Sequence, residues 1–371
     1  MAYGQVNADV IGTSVTGSNL GAGDASLMKN RIINGAMVID QRNAGASVTV
    51  ASSRNYYLDR FTIFAQAGSK LTIQQNAGSV TPPVGFTNYA GITVSTAVSP
   101  LGAADQYMFE QQIEGYNVAD LQFGTANAKT VTLSFWVRSS LTGTFAGSIS
   151  NGAEDRTYPF TYTISSANTW TQASVTIAGD TTGTWLTTNG SGLRLKLNLG
   201  TGTTYSGTAN AWTSSPYITS VTGTVNLINT VNATWYVTGV QLEVGSSATG
   251  FEYVNYQTSL DNCQRYYQVY GGVAYAGIAS GMTNNTNTQS NFAMLFCTTM
   301  RASPSLNFSN LIVTDRTAYD TTVSSVATST ISPNGTFIQF NLATTAGGVN
   351  TPTLLCVKNG TTGTLTFSAE L

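Results

Sequence analysis

The sequence has no histidine and few charged residues, and these absences exclude several kinds of chemistry. Of its 371 residues, 15 are lysine or arginine and 17 are aspartate or glutamate, so charged residues make up only 9% of the chain. Without histidine, the commonest general base and the commonest transition-metal ligand are missing. Catalytic triads and zinc sites that depend on histidine are therefore excluded.

Cysteine, clustered basic residues and long apolar runs are also lacking. Cys263, Cys297 and Cys356 are far apart and show no paired ligand spacing, which favours reduced thiols over a disulfide framework. The net charge of −2 and the scattered lysines and arginines argue against nucleic acid as a partner. No run approaches the roughly 18 apolar residues of a membrane span, and MAYGQVNADV lacks the pattern of a signal peptide. We expect synthesis in a cytoplasm and no membrane insertion.

Alternating apolar and polar residues dominate the chain from about residue 31 to 255. The clearest example is GLRLKLNLG, in which four leucines alternate with polar residues: Leu193, Leu195, Leu197 and Leu199. A period of two indicates strands, and turn signals such as TNGSG and GTGTT separate them. Many short strands without a helical period predict an all-β protein. The natural closure for residues 31–255 is a two-sheet sandwich or jelly roll.

The two ends of the chain differ from this region. Residues 1–30 are rich in small residues and have too few large apolar groups for a core, which indicates either a loose terminus or an arm that orders against a partner. Residues 256–371 again read as strands and predict a smaller C-terminal β domain. A short helix within YQTSLDNCQRYYQVY introduces this domain, with Ser259 as its candidate cap.

The carboxylates form no convincing catalytic constellation. Glu154 and Asp155 are adjacent beside Arg156, and we expect them in a solvated surface turn. Glu110 and Glu114 would share a face on a strand or a helix, and two carboxylates are the minimum for glycoside hydrolysis, but this spacing is common by chance. No phosphate-binding loop is present. We predict no catalytic residue, no metal ligand and no cofactor, although calcium held by loop carbonyls and scattered aspartates stays open.

The stretch WYVTGVQLEVG, residues 235–245, is the most regular strand and contains an unexpected carboxylate. Strict alternation predicts one face with four apolar residues, Tyr236, Val240, Leu242 and Val244. Gln241 and Glu243 would then lie on the opposite face. A glutamate in the middle of a strand is a catalytic group, a metal ligand or a structural anchor.

Two tryptophans in loop-like surroundings are the candidate binding residues. Trp185 lies in GDTTGTWLTTNGSG and Trp212 in SGTANAWTSSPY. Exposed aromatic faces on a β scaffold bind the apolar C–H faces of sugars, and Asn189, Asn210 and Ser214 are polar neighbours. The alternative is that both tryptophans plug the ends of the sandwich.

Several stretches together resemble tail-fibre-like virion proteins of tailed bacteriophages, of the cyanophage type. They are MAYGQVNADVIGTS at the start, KNRIINGAMVIDQRN at 29–43, YYLDRF at 56–61, the segments at 111–140 and 162–185, VTGVQLEVGSSATGFEY at 237–253 and DNCQRYY at 261–267. The resemblance covers nearly the whole chain. It implies a jelly roll similar to carbohydrate-binding modules, a C-terminal β domain, a homotrimer, and an arm at residues 1–30 that attaches to other virion proteins.

The resemblance also implies a role for Glu243 and a function for the chain. In such modules this strand is the last of the jelly roll, so Glu243 is expected to anchor a turn through backbone donors or an arginine: Arg31, Arg42 or Arg60. The expected function is a non-enzymatic tail fibre or spike that binds host surface glycan or lipopolysaccharide, assembled in the bacterial cytoplasm and located in the virion. A head fibre, a capsid decoration or a tail adaptor is the alternative, and a glycan-degrading tailspike is less favoured.

Overall fold

The chain folds into two compact units. The computed structural model describes residues 28–315, 320–345 and 348–371, so most of the predicted arm at 1–30 lies outside the described residues. Among the described residues, the first unit contains 28–38, Gly45–Tyr57 and Phe61–Val254. The second unit contains Asn255–Leu371 and takes in two short earlier segments, Ile39–Ala44 and Leu58–Arg60.

The described part of the first unit is built from strands. They are β1 (Val48–Thr49), β2 (Ser53–Leu58), β3 (Phe61–Ala65), β4 (Leu71–Gln75), β5 (Ala90–Val94), β6 (Gln106–Glu114), β7 (Val131–Ser139), β8 (Gly143–Asn151), β9 (Thr157–Ile164), β10 (Thr171–Ile177), β11 (Ser191–Thr201), β12 (Ser206–Gly207), β13 (Ser220–Val221) and β14 (Thr234–Val244). Short 3-10 helices occupy Ala77–Ser79, Gly115–Asn117, Ala119–Leu121, Thr203–Tyr205 and Leu227–Asn229.

Two six-stranded sheets form the predicted sandwich. One has the strand order β1-β4-β5-β14-β7-β10 and the other β2-β3-β6-β11-β8-β9. Between them, Phe61 stacks on Phe109 at 4.8 Å and Phe109 lies 5.8 Å from Trp235. Trp235 is fully buried, and its indole N–H donates to the Tyr162 hydroxyl at 3.1 Å. The all-β jelly-roll prediction is confirmed for this unit.

A β-bulge changes which side chains of β14 share a face. The pairing with β7 shifts between Thr238 and Gln241, where Gly239 adopts a φ of 62°. An extra residue in one strand exchanges the faces beyond it. Tyr236 therefore lies on the face of Gln241 and Glu243, against Tyr89, and the prediction that it shares a face with Val240 is wrong.

The first described residues attach to this bulge. The backbone N–H of Val240 donates to the Gly35 carbonyl at 3.0 Å, and the Val240 carbonyl accepts from Asn30 Nδ2 at 3.0 Å. The backbone N–H of Arg31 donates to the Leu242 carbonyl at 2.9 Å. The bulge's backbone groups are thereby satisfied by a segment about 200 residues earlier in the chain.

The outer face of the second sheet is covered by the chain itself. The four leucines of β11 are buried in the core, yet Lys196 on the opposite face is also fully buried. Residues 203–226 lie across part of this face, and we call them the covering segment. Its carbonyls at Tyr217 and Ile218 accept hydrogen bonds from Gln106 Nε2 and Ser148 Oγ, each at 3.0 Å.

The second unit begins with helix α1 (Tyr256–Gln264) and continues as strands. These are β15 (Tyr267–Gly271), β16 (Gly277–Thr283), β17 (Gln289–Leu295), β18 (Ser305–Ser309), β19 (Leu311–Thr314), β20 (Asp320–Ser332), β21 (Gly335–Leu342), β22 (Pro352–Val357) and β23 (Thr364–Ser368). The order β16-β17-β21-β20-β19-β22 closes a barrel, and β15-β23-β18 form a separate sheet. Asn255, not Ser259, caps the helix by accepting from the Thr258 N–H at 2.9 Å.

Candidate functional site

The structure brings the two predicted tryptophans together. The Trp185 and Trp212 ring centroids are 5.5 Å apart at an interplanar angle of 89°. Phe123 lies 4.8 Å from Trp185, and Tyr158 lies 5.3 Å from Trp212. Both tryptophans are half-buried, and their indole N–H groups donate to backbone carbonyls. The rings are therefore held in fixed positions with part of each ring exposed.

Beside this cluster, the covering segment forms an open groove of about 510 Å³. Trp212, Tyr205 and Pro216 line it with ring surface, while Thr204, Ser206, Thr208, Thr213 and Ser215 add hydroxyl groups. Its volume lies within the roughly 300–1,000 Å³ of small-molecule sites. Among the described residues that line the groove, none carries a charge.

Backbone hydrogen bonds fix the walls of the groove. The short strands β12 and β13 pair in parallel, and Thr213 forms an isolated bridge with Thr157 of β9. Asn210, in the left-handed region with a φ of 63°, donates its N–H to the Pro159 carbonyl at 2.8 Å. Asparagine tolerates this conformation better than most side chains. A loop tied to the sheet at several points is a preorganised surface for a ligand.

Sequence reasoning found Trp212 but missed several of its neighbours. Tyr158 and Phe123 join the site across long chain separations, so no local spacing indicates them, whereas Tyr205 is close to Trp212 in the chain. Of the predicted polar neighbours, Asn210 and Ser214 are exposed near Trp212 in the chain. Asn189 is exposed in the loop that follows Trp185.

A network of buried charges lies on the sheet face under the covering segment. Glu110 accepts from Arg54 Nε at 2.7 Å and from Arg194 Nη1 at 3.3 Å. Glu154 accepts from the same Arg194 Nη1 at 2.5 Å and forms an ion pair with Lys196. Glu154 was expected in a solvated turn, and this prediction is wrong because its side chain turns inward onto β11. Its neighbour Asp155 is exposed, as predicted.

The electrostatics of this network make the Glu154 carboxylate an acceptor and not a proton donor. Burial acts to raise the pKa of Glu154, but Lys196 and Arg194 outweigh it and lower the pKa below its ordinary value. Burial lowers the pKa of Lys196, and the charges of Glu154 and Glu110 oppose that effect. A general acid needs a raised pKa and access to substrate. Glu154 has neither, and Glu114, on the same face of β6 as Glu110, is also buried.

Glu243 anchors the turn that follows β14. Its carboxylate accepts from Gln241 Nε2 at 2.9 Å, from the Thr249 N–H at 2.9 Å and from the Thr249 hydroxyl at 2.6 Å. The nearest cation is Lys29, at 3.8 Å. Of the two expected kinds of partner, the backbone donor is present at Thr249, and the arginine is not, because the segment that reaches Glu243 presents Lys29 instead.

We expect Glu243→Gln to destabilise the first unit by about 1–3 kcal/mol without removing any chemical step. The new amide N–H₂ would replace one carboxylate oxygen and face a group that donates to that oxygen, either at Oε1 or at Oε2. Urea unfolding followed by tryptophan fluorescence measures the change, and Thr249→Ser, which keeps the hydroxyl, is the control. Unchanged stability together with a loss of polysaccharide hydrolysis would contradict the anchor role.

The second unit holds a further buried cluster, and it includes Arg60. Arg60 is 1% exposed, forms an ion pair with Glu370, and stacks over the Tyr266 ring at 3.5 Å. Arg42 pairs with the other Glu370 oxygen at 2.8 Å. Asp59 accepts from the Gln41 N–H at 2.7 Å and from its side-chain amide at 2.6 Å. Arg60 thus contacts Glu370 and not Glu243.

Asp59 makes the stability of this unit depend on pH. Burial raises its pKa from 3.8 to about 6, against the lowering effects of Arg42 and Gln41. The folded state therefore binds this proton more tightly than the unfolded chain. The contribution of Asp59 to the free energy of unfolding falls by about 3 kcal/mol as pH rises from about 4 to 6.

Asp59→Asn should remove this pH dependence. Urea unfolding at several pH values between 4 and 7 gives the difference between wild type and variant, which cancels the titration of the other acids. We expect the stability advantage of the wild type to shrink steadily as pH rises through this window. A difference that is constant with pH would contradict the raised pKa.

Neither a metal centre nor a spanning helix is found in the described part of the chain. Within residues 28–315, 320–345 and 348–371, no three His, Cys, Asp or Glu side chains are grouped to hold a metal ion. Over the same ranges, no helix has the length and apolar character needed to cross a membrane.

The fold and the groove define an all-β sandwich with an uncharged aromatic surface site. No protein-family model matches the chain, and no curated protein matches it. Among solved structures, it is similar to the enzymatically active domain of tailspike protein 4 from bacteriophage CBA120. That similarity has 12% identity and a TM-score of 0.30, over 59% of this chain and 22% of the tailspike chain.

Carbohydrate-binding modules are also among the similar structures. The family 11 module from Clostridium thermocellum shows 8% identity and a TM-score of 0.27, over 54% of this chain and 100% of the module. A module named CBM4 shows 16% identity and a TM-score of 0.27, over 57% of this chain and 98% of the module. These values are low, so the similarity is one of fold alone.

Proposed function

We propose that this chain is a non-enzymatic structural protein of a phage virion, a tail fibre or spike that attaches to the host surface by binding glycan. The observation that carries the proposal is the groove beside Trp212. It combines fixed aromatic surface with hydroxyl groups, which suits the apolar ring faces and the polar edges of sugars. The resemblance of the sequence to tail-fibre-like proteins supports a location in the virion.

The burial and ion pairing of the glutamates support the absence of enzymatic activity. Glycoside hydrolysis needs two carboxylates that flank the bond to be cleaved, with room for water in an inverting enzyme. Glu110 and Glu154 share one guanidinium and lie buried under the covering segment. Incubation with host polysaccharide should release no new reducing ends, and release of oligosaccharide would overturn this part of the proposal.

A homotrimer is part of the proposal. The barrel of the second unit exposes apolar side chains on neighbouring strands, with Leu295 of β17 at 86% and Phe337 of β21 at 46%. Exposed apolar side chains close together often mark a protein contact. Size-exclusion chromatography with light scattering should give the mass of three chains, and a stable monomer at micromolar concentration would contradict it.

A competition assay tests the attachment role. Purified protein is added to host cells before the phage, and unadsorbed phage is counted over time. We expect saturable slowing of adsorption by wild type and much weaker slowing by Trp212→Ala. No effect from the trimeric wild-type protein would instead favour a head fibre, a capsid decoration or a tail adaptor that carries another receptor-binding protein.

A further inference from the structure

We propose that the groove beside Trp212 takes a short, uncharged glycan and rejects glycans that carry a carboxylate at the same position. This inference rests on the proposed glycan-binding function and adds the chemical class of the ligand. The primary observation is the lining itself, since its ring surfaces and hydroxyl groups come from described residues that carry no formal charge.

Ionic groups next to the points where the covering segment hydrogen-bonds to the sheet are engaged with each other. Arg156 precedes the Thr157 bridge, and its Nε and Nη2 donate to Asp180 at 2.7 and 2.9 Å. Asp180 is 2% exposed, and it also accepts from the Thr182 N–H and hydroxyl. Glu154, whose carbonyl accepts from the Tyr217 N–H, has its carboxylate paired with Arg194 and Lys196.

An anionic sugar would therefore lose hydration in the groove without gaining a charged partner. Moving a carboxylate out of water is costly unless a cation or several N–H donors replace the water. Proteins that bind carboxylates tightly usually do so with arginine or with oriented N–H groups. Here the Trp212 indole N–H already donates to the Ala178 carbonyl at 2.7 Å, so the ring offers its apolar surface and not its donor.

Two aromatic surfaces indicate how a neutral glycan would lie. Trp212 and Tyr205 both line the groove, and Tyr205 is held against Tyr217 at 6.4 Å with an interplanar angle of 89°. One sugar ring would stack on Trp212, and the chain would continue towards Tyr205. The hydroxyl groups of Thr208, Thr213 and Ser215 would contact the polar edges of the sugar.

Matched oligosaccharide pairs test the ligand class. Each pair has the same linkage and length and differs only at C6, as in β-1,4-linked oligomannose and oligomannuronate, or α-1,4-linked oligogalactose and oligogalacturonate. Binding to the full chain is measured by calorimetry at low and high salt. We expect the neutral member of at least one pair to bind at least about tenfold more tightly than its acidic partner. The affinity of the neutral member should depend little on salt.

Variants assign the binding to this groove. Trp212→Ala should weaken binding of the neutral member about tenfold or more, and Tyr205→Ala should weaken it by a smaller factor. Trp170→Ala is the matched control, because Trp170 is also half-buried, also donates its indole N–H to a backbone carbonyl, and does not line the groove. Circular dichroism checks that each variant is folded.

The outcomes distinguish failure of this inference from failure of the proposed function. Tighter or strongly salt-dependent binding of an acidic member would overturn the neutral class, as would binding that Trp212→Ala leaves unchanged. Failure of every neutral member to bind at millimolar concentration would also overturn it. If the protein still slows phage adsorption in that case, host attachment stands and this inference alone fails.

Discussion

Replacing Glu154 with glutamine should lower the free energy of unfolding of the first unit by about 3–5 kcal/mol. The substitution leaves Lys196, which is fully buried, without its ion-pair partner, and it removes one of the two carboxylates that contact Arg194. A buried charge that has lost its partner retains the cost of its lost hydration. Few single substitutions outside the sandwich core should have a larger effect.

Tryptophan fluorescence during urea unfolding measures this change cleanly. All five tryptophans, Trp136, Trp170, Trp185, Trp212 and Trp235, belong to the first unit. Asp155→Asn is the matched control, since the same turn carries it and it is exposed, so its effect should be much smaller. The double variant Glu154→Gln, Lys196→Met should recover part of the loss because both charges are then removed. Equal effects of Glu154→Gln and Asp155→Asn would contradict the role of the pair.

These residues also show where the sequence was sufficient and where it was not. Alternation in β11 predicts the buried leucines, because the period of a strand is a local property. It does not predict that Lys196 on the other face is buried as well. That depends on the covering segment and on Glu154, whose contacts with β11 join residues far apart in the chain.

The bulge in β14 is a second case. Alternation predicts the faces of Leu242 and Glu243 correctly, but it assigns Tyr236 to the wrong face because it assumes an uninterrupted strand. Gly239 is the residue at which the pairing shifts, and a glycine inside a strand is the one local signal for a bulge. The sequence predicts that Glu243 anchors a turn. It does not predict that its cation is Lys29 and not an arginine, because this depends on how residues 29–35 pack against β14.

The candidate site was partly predictable for the same reason. The loop-like sequences around Trp185 and Trp212 indicated each tryptophan separately. The Thr, Ser and Asn residues in those loops suggested polar neighbours. Their contact with one another, and the groove that Tyr205 shares with Trp212, arise only when the covering segment lies across the sheet. Long-range placement of loops on a sheet has no local pattern that could be read in advance.

Replacing Glu370 with glutamine should have a comparably large effect on the second unit, about 3–5 kcal/mol. Its carboxylate pairs with both Arg42 and Arg60, and Arg60 is almost fully buried. The neutral amide would leave two guanidinium groups close together with less compensating charge. Glu370 also acts to raise the pKa of Asp59, so the pKa of Asp59 should fall in the variant.

Thiol labelling reports on this unit because it contains all three cysteines. Cys263 and Cys356 are fully buried, and burial raises the pKa of the Cys263 thiol well above its ordinary value, so both should react only after the unit opens. In a Cys297→Ser background, Glu370→Gln should shift labelling to distinctly lower urea concentrations. Asp320→Asn, at an exposed carboxylate on β20, is the control and should shift it little. Coincident labelling curves for the two variants would show that Glu370 does not hold the arginines in place, and the buried pairs would then contribute little to the stability of this unit.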